Sequence, residues 1–293
     1  MKLRKKHTFG RGVVFVLCAG LSVLFLLPTV LTVTNSFMDE SELSSDYGMV
    51  FAAADGGYLS ETVHLRFIPE NFTLSHYTDG LFKSPEYLRK LWNSVLLVVP
   101  IVILEVSVAA LAAYGFSRWR GKLRSRLFFF YMVLMLMPYQ VTMVPDYLIN
   151  KQLGLLNTRW AIILPGVFAP FSVFLLTRSM RRIPSSVIEA ARIDGASEWD
   201  IFTKICLPEC RSVLCAVAVL VFIDYWNMVE QPLILLDDPE MRPLSVFLSS
   251  VSPREIGLAF AMATVYMIPA LALFLLGEKH LTEGTAASGS AGN

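Results

Sequence analysis

Apolar residues in this chain fall in long runs rather than in strict alternation. A helix needs about 20 apolar residues to cross about 30 Å of hydrocarbon, and six stretches approach that length. Residues 13–33 supply 21 without a charge, and residues 92–116 supply 25, interrupted only by Glu105. Residues 127–145 give 19, stopping before Asp146, and residues 160–177 give 18. Residues 213–236 are long enough but carry Asp224 and Glu230, whereas residues 256–277 give 22 uncharged positions. The pattern predicts an all-α polytopic membrane protein with six transmembrane helices.

Composition agrees with lipid as the solvent. Hydrophobic residues make up 55% of the 293, charged ones 17%, and mean hydropathy is +0.55, against about 45–50% and about 25% for soluble domains. A net charge of +1 argues against a nucleic-acid binder, which needs a basic excess. Four cysteines are too sparse for a disulfide scaffold.

Lys and Arg divide unevenly among the loops, 17 on one side and 8 on the other. The richer side is expected to be cytoplasmic, with both termini inside the cell membrane. The first apolar run exceeds the 7–15 residues of a signal peptide and is expected to remain as an uncleaved span. The small-residue run Ala52-Ala53-Ala54 lies too far beyond it for ordinary cleavage. The expected organisation is a cytoplasmic N-terminus over 1–12, a first helix over 13–34 and an extracytoplasmic loop over 35–91. A five-helix core follows over 92–277, then a flexible cytoplasmic tail over 278–293.

One inner segment is organised. Pro184 precedes Ser186-x-x-Glu189, which reads as a capping box opening a short helix. Asp194-Gly195 stops that helix, because Gly readily adopts the left-handed conformation. Ser197-x-x-Asp200 reads as a second box, opening a helix with Trp199, Phe202 and Ile205 at three-residue spacing and ending at Leu207-Pro208. Periodicity alone fits an amphipathic pair lying on lipid headgroups equally well.

The string decides between the two. Glu189-Ala190-Ala191, then Asp194-Gly195-Ala196, then Ile205-x-Leu207-Pro208, resembles the EAA loop of ABC importer permeases. Asn93-Ser94, the run from Ala113-Tyr114 to Ser117-Arg118, Met137-Pro138, the run Gly154 to Thr158, and Trp226-Asn227 resemble the carbohydrate, maltose-type branch. The resemblance implies a type I ABC importer permease fold. It implies a second homologous permease subunit, two ABC ATPase subunits and an extracytoplasmic solute-binding protein as partners, in a lipid bilayer. The loop over 183–208 would be the coupling element that docks on an ATPase. Gly195 would give its turn, Glu189 and Asp194 polar contacts, and Trp199 and Phe202 apolar anchors. No cofactor is implied. Glycerol-phosphate and oligosaccharide systems share the pattern, which leaves the solute open.

Catalysis by this chain finds little support. The nearest approach to a phosphate-binding loop, Gly115 to Lys122, has one residue too many and Leu123 where a hydroxyl must hold Mg²⁺. No His is followed by the His-Glu-x-x-His pattern of zinc proteases, and Cys206, Cys210 and Cys215 lack a fourth ligand. ATP hydrolysis is therefore expected in a separate chain. A secondary carrier would show more spans or a repeat pair. Within the spans, Asp224, Tyr225, Trp226, Asn227 and Glu230, with Tyr139 and Gln140 beside Pro138, are candidates for a solute path. Ionisable groups at such positions usually face a cavity. Inter-helix hydrogen bonding is the alternative role. Glu105 is expected to pair with a polar group on a neighbouring span.

Overall fold

The structure is a computed structural model that describes residues 3–51, 64–119, 121–249 and 256–289. The expected run Ala52 to Ala54 lies outside them. The described residues are helical, with a single β-bridge between Met38 and Phe72. Two compact units emerge, Met1–Leu88 with Ser250–Met267, and Arg89–Ser249 with Ile268–Asn293.

The first unit begins with α1 (Leu3–Asn35), exposed within this chain over residues 12–26 and becoming buried at Asn35. That exposure suits a helix solvated by lipid. The acidic helix α2 (Glu40–Phe51) and the short α3 (Ser75–Thr78), with its following π-turn Asp79–Lys83, occupy the loop expected over 35–91. Met38, Leu43 and Tyr47 are buried here with Phe260 packed on them. Polar groups bind the loop together. Glu42 accepts from the backbone N–H groups of Glu70 and Asn71, and the Asn35 amide donates to the Tyr47 hydroxyl at 2.6 Å. Gly257 is required by packing, since a β-carbon would meet the His76 ring at 2.3 Å.

The helix α4 (Pro85–Arg118) starts seven residues before the expected span at Trp92. Pro85 fits the first turn, where its missing N–H costs nothing. The third expected span, 127–145, is not one helix. It is α5 (Lys122–Met135) and α6 (Tyr139–Gln152), bent by 100°. Pro138 has no N–H and holds an extended backbone (φ −68°, ψ 146°), and it disfavours helix at the residue before it. The fourth span is α7 (Trp160–Gly166) and α8 (Pro170–Met180), interrupted at Ala169 for the same reason. The fifth, α12 (Arg211–Trp226), stops ten residues short of its expected end. Asn227 caps it by donating to the Ile223 carbonyl at 2.8 Å. A separate helix α13 (Glu230–Leu235) follows. The last helix α15 (Ile256–Gly289) continues through most of the stretch expected to be a flexible tail. Glu278, Leu281, Glu283 and Ala286 favour helix there, and no proline follows Pro269. Among the described residues, four stretches are long and apolar enough to cross a membrane, and two bent pairs raise the number to as many as six.

The second unit's core lies where α8 packs against α5 and α12. Ala109, Ala110 and Ala113 of α4 are buried in it, small residues that let helices approach closely. Glu105, 1% exposed, accepts from the Ser172 hydroxyl at 2.6 Å, which is the pairing its position predicts.

Two strings carried by the resemblance have a structural reason. The Asn93 amide donates to the Glu240 carbonyl at 2.6 Å, the Ser94 hydroxyl accepts from Leu244 N–H at 3.0 Å, and Asn157 accepts from Asp238 N–H at 3.0 Å. Together they pin the segment between α13 and α14 (Leu244–Leu248). Asn157 holds a left-handed φ of 58° to do so, a conformation Asn tolerates better than most residues.

Candidate functional site

Two places in the second unit gather the candidate residues. The first is the loop over 183–208. Its leading helix α9 (Ser185–Ile193) has Pro184 at the N-cap and no side-chain cap bond. The expected Ser186–Glu189 box is therefore not formed, because the helix starts one residue earlier and Ser186 falls inside it. The C-terminal end is as expected. Gly195 sits at φ 86°, its N–H bonds to the Arg192 carbonyl at 3.1 Å, and Ala196 N–H bonds to the Ala191 carbonyl at 3.0 Å. This pair of bonds is a Schellman closure, which needs the left-handed residue that Gly supplies without strain. Nothing lies within 4 Å of where a Gly195 β-carbon would stand, so the constraint within this chain is conformational.

The second box does form. Ser197 accepts from Asp200 N–H at 3.1 Å, and the Asp200 carboxylate accepts from Ser197 N–H at 3.3 Å, opening α10 (Glu198–Asp200). Lys204, 2.6 Å away, and Ser197 hold the Asp200 carboxyl down to about 2. A π-turn Ile201–Cys206 and a last turn, α11 (Leu207–Glu209), follow. Pro208 stands in the first turn of α11 instead of ending the helix at Leu207-Pro208, and the break falls at Cys210. Proline fits there because the first-turn N–H groups have no intrahelical partner.

The aromatic pair splits in role. Phe202 is 5% exposed and Trp199 is 64% exposed, although their rings lie 5.5 Å apart. Ile188 is buried while Ile193 is 86% exposed. Burial of Ile188 and Phe202 stabilises the loop's seat by roughly 1.5–3 kcal/mol each. The outward face is left with Ile193, Trp199, Glu189, Ala190, Asp194 and Gly195, while Ala191 and Leu207 pack on the core.

What fastens the loop was not read from the sequence. Tyr114, near the end of α4, donates its hydroxyl to Glu198 and lays its ring 5.3 Å from Phe202. Arg192 holds the same Glu198 through Nε and Nη2, both at 2.8 Å. These bonds keep the exposed Glu198 carboxyl below its ordinary range, Tyr114 contributing most. Arg118 donates to the Met180 carbonyl at 3.2 Å and to the Cys206 sulfur. Cys206 and Cys210 are buried, the latter receiving the Ser179 hydroxyl at 3.2 Å. The signal for the clamp was present as the string Ala113 to Arg118, but its target lies more than 80 residues on. A cleft of about 700 Å³ beside α9 is lined by Arg118, Arg181, Arg182 and Arg192 with Glu189.

The second place is a cavity of about 700 Å³ where two helix breaks meet. Tyr139 and Gln140 open α6 just after Pro138, and Asp224, Tyr225, Asn227 and Glu230 lie at the gap between α12 and α13. Irregular backbone at membrane depth is tolerated only where it is buried in protein or lines a cavity. Trp226 is placed differently. It is 2% exposed and stacks on Phe222 with ring centroids 5.0 Å apart, so it stands behind the cavity wall. Gln231, part of the same polar run in the sequence as Asp224 and Glu230, lines the cavity as well. Two side cavities of about 410 and 340 Å³ adjoin, and Tyr225 lines all three.

Comparison with known proteins accounts for this arrangement. Residues 105–283 match the family described as "Binding-protein-dependent transport system inner membrane component". The chain is 32% identical over 200 residues to the lactose transport system permease protein LacG of Rhizobium radiobacter, covering 67% of this chain and 73% of that one. It is 27% identical to the protein LplC of Bacillus subtilis over 97% of both. A crystal structure of a bacterial ABC transporter that imports the acidic polysaccharide alginate superposes with a TM-score of 0.77 at 22% identity, covering 96% of this chain and 99% of that one. That likeness shows the same fold. The chain is a multi-pass membrane protein and belongs to the family of binding-protein-dependent transport system inner membrane components.

Proposed function

We propose that this chain is one membrane subunit of an ATP-driven importer of a sugar or related solute. A second homologous subunit completes the path, two partner ATPases dock beneath, and an extracytoplasmic binding protein delivers the solute. The observation that carries this reading is the loop over 183–208. It presents a rigid turn and an apolar outward pair, Ile193 and Trp199, above a clamp to α4. Such a loop transmits force well. A push on α10 reaches α4 through Tyr114 and α12 through the short turn at Cys210, so the elements around the cavity move as rigid bodies. The excess of Lys and Arg on the loop's side supports a cytoplasmic location, with the ATP chemistry supplied by the partner. The sugar-permease relatives support the solute class.

Gly195→Asp tests the coupling. It leaves insertion intact but strains the turn and places a charge at the docking face. Loss of ATPase co-purification and of solute uptake is expected, and wild-type co-purification with normal uptake would remove the loop from its role. Orientation is tested by single cysteines at Ser45 and Ser185, both on exposed positions. They should label oppositely with an impermeant thiol reagent.

A further inference from the structure

The three adjoining cavities share a chemical bias. Their walls carry four carboxyl groups: Asp224 and Glu230 in the largest, Asp146 in the second, and Glu105 with Asp224 in the third. No Lys, Arg or His among the described residues lines any of them. Asp224 and Glu230 are exposed to the opening, and paired carboxylates at the mouth of a cavity with low-dielectric walls focus a negative potential there. Glu105 adds an independent sign of a ligand. It is 1% exposed, lines the third cavity, and its Oε2 has no hydrogen-bond partner among the described residues. A buried polar atom left open is costly, and this one belongs to a residue of the cavity wall, within reach of a donor that enters.

From this we infer that the wall supplied by this chain selects donor-rich solutes that are neutral or cationic, such as uncharged oligosaccharides or amino sugars, and disfavours uronates and sugar phosphates. The inference rests on the cavity being the solute path. A uronate or phosphate passing Asp224 and Glu230 meets like charge with no cation to offset it. A sugar hydroxyl or ammonium group instead donates to these carboxylates, while Tyr139, Asn227 and Gln231 satisfy the remaining polar atoms. Four arginines, Arg118, Arg181, Arg182 and Arg192, line the cleft beside α9 instead.

The potential can be read without knowing the solute. In the full complex, reconstituted in lipid nanodiscs with its ATPases, Asn227→Cys is exposed to cationic and anionic methanethiosulfonates of similar size. Modification of the peptide containing residue 227 is followed by mass spectrometry. After correction for each reagent's rate with a free thiol, the cationic reagent is expected to react about tenfold faster or more. Asp224→Asn with Glu230→Gln should bring the ratio toward one. Equal rates, or a faster anionic reagent, overturn the charge inference while leaving the path intact. No modification by either reagent, with ATP analogue or without, overturns the path itself. The unmodified complex gives a second measurement, saturation-transfer NMR with lactose, a glucosamine disaccharide and digalacturonate. Transfer is expected to the first two, and transfer to digalacturonate at the same level would overturn the inference.

Discussion

The loop over 183–208 and the cavity beside Pro138 are built on opposite plans. The loop is closed by bonds between near neighbours, Gly195 to Arg192, Ala196 to Ala191 and Ser197 to Asp200, and a few long-range ties then clamp it. The cavity is assembled from two places where helices fail, more than 80 residues apart. The charges differ too. Arginines gather beside the loop, carboxyl groups around the cavity. On the function proposed above, the contrast separates a lever, which must be stiff and hold its partner, from an opening, which must leave polar groups available.

Arg118→Ala strikes the lever hardest. It removes a charged hydrogen bond to the Met180 carbonyl, contributing about 1.5–3 kcal/mol, and a weaker one to the Cys206 sulfur. If that cost falls on docking, solute-stimulated ATPase activity drops about 10- to 100-fold while the protein still inserts. Activity within twofold of wild type would mean the clamp does not transmit. Within the cavity region, Trp226→Ala and Asn227→Ala are adjacent changes with different expected results. The first empties a buried aromatic site and should destabilise the complex by about 3–5 kcal/mol, seen as a lower melting temperature. The second removes one exposed cap bond and should lower melting far less, while slowing uptake several-fold. Equal melting shifts would erase the distinction between wall and support.

A smaller effect sharpens the lever's anatomy. Tyr114→Phe and Glu198→Gln, measured singly and together, should show coupling of about 0.5–2 kcal/mol in ATPase affinity. Additive losses would mean the hydroxyl-to-carboxylate bond is idle. The smallest change is at the cap. Ser197→Ala should cost about 1 kcal/mol of local helix stability, measured by hydrogen exchange over residues 197–206. The capping contribution of Asp200 has a defined pH window. Its folded value, about 2, lies below the ordinary 3.8, so the contribution is complete above pH 3.8 and disappears as pH falls through about 2. Exchange protection of this turn should therefore be constant from pH 5 to 8, and a step within that range would contradict the box.

Much of the lever was legible because its logic is local. Gly195 is needed where a helix must close in the left-handed region, and Ser197 with Asp200 satisfies N–H groups three residues apart, so spacing is enough. The first capping box misled because Pro184 begins the helix one residue earlier, a shift that spacing alone does not register. Of the proposed path residues, Tyr139, Gln140, Asp224, Tyr225, Asn227 and Glu230 could be picked out as polar groups in apolar runs. Trp226 has the same sequence signature, yet the structure turns it toward Phe222. Neighbours on a helix differ by about 100° in direction, and the helix period alone does not say which direction is the cavity.

The sequence by itself determined that this chain is helical and lies in lipid. It also determined that a Gly-turned, Ser-capped pair lies between the fourth and fifth apolar runs, since those properties follow from composition and from bonds spanning a few residues. Only the tertiary structure decided that the third span folds back by 100° at Pro138 and that the fifth ends at Asn227. The same holds for Tyr114 and Arg118 gripping a loop far along the chain, and for the grouping of the four carboxyl groups around adjoining cavities. Those outcomes depend on which apolar faces pack together. That choice is made by shape and volume across the core, which the order of residues records only indirectly.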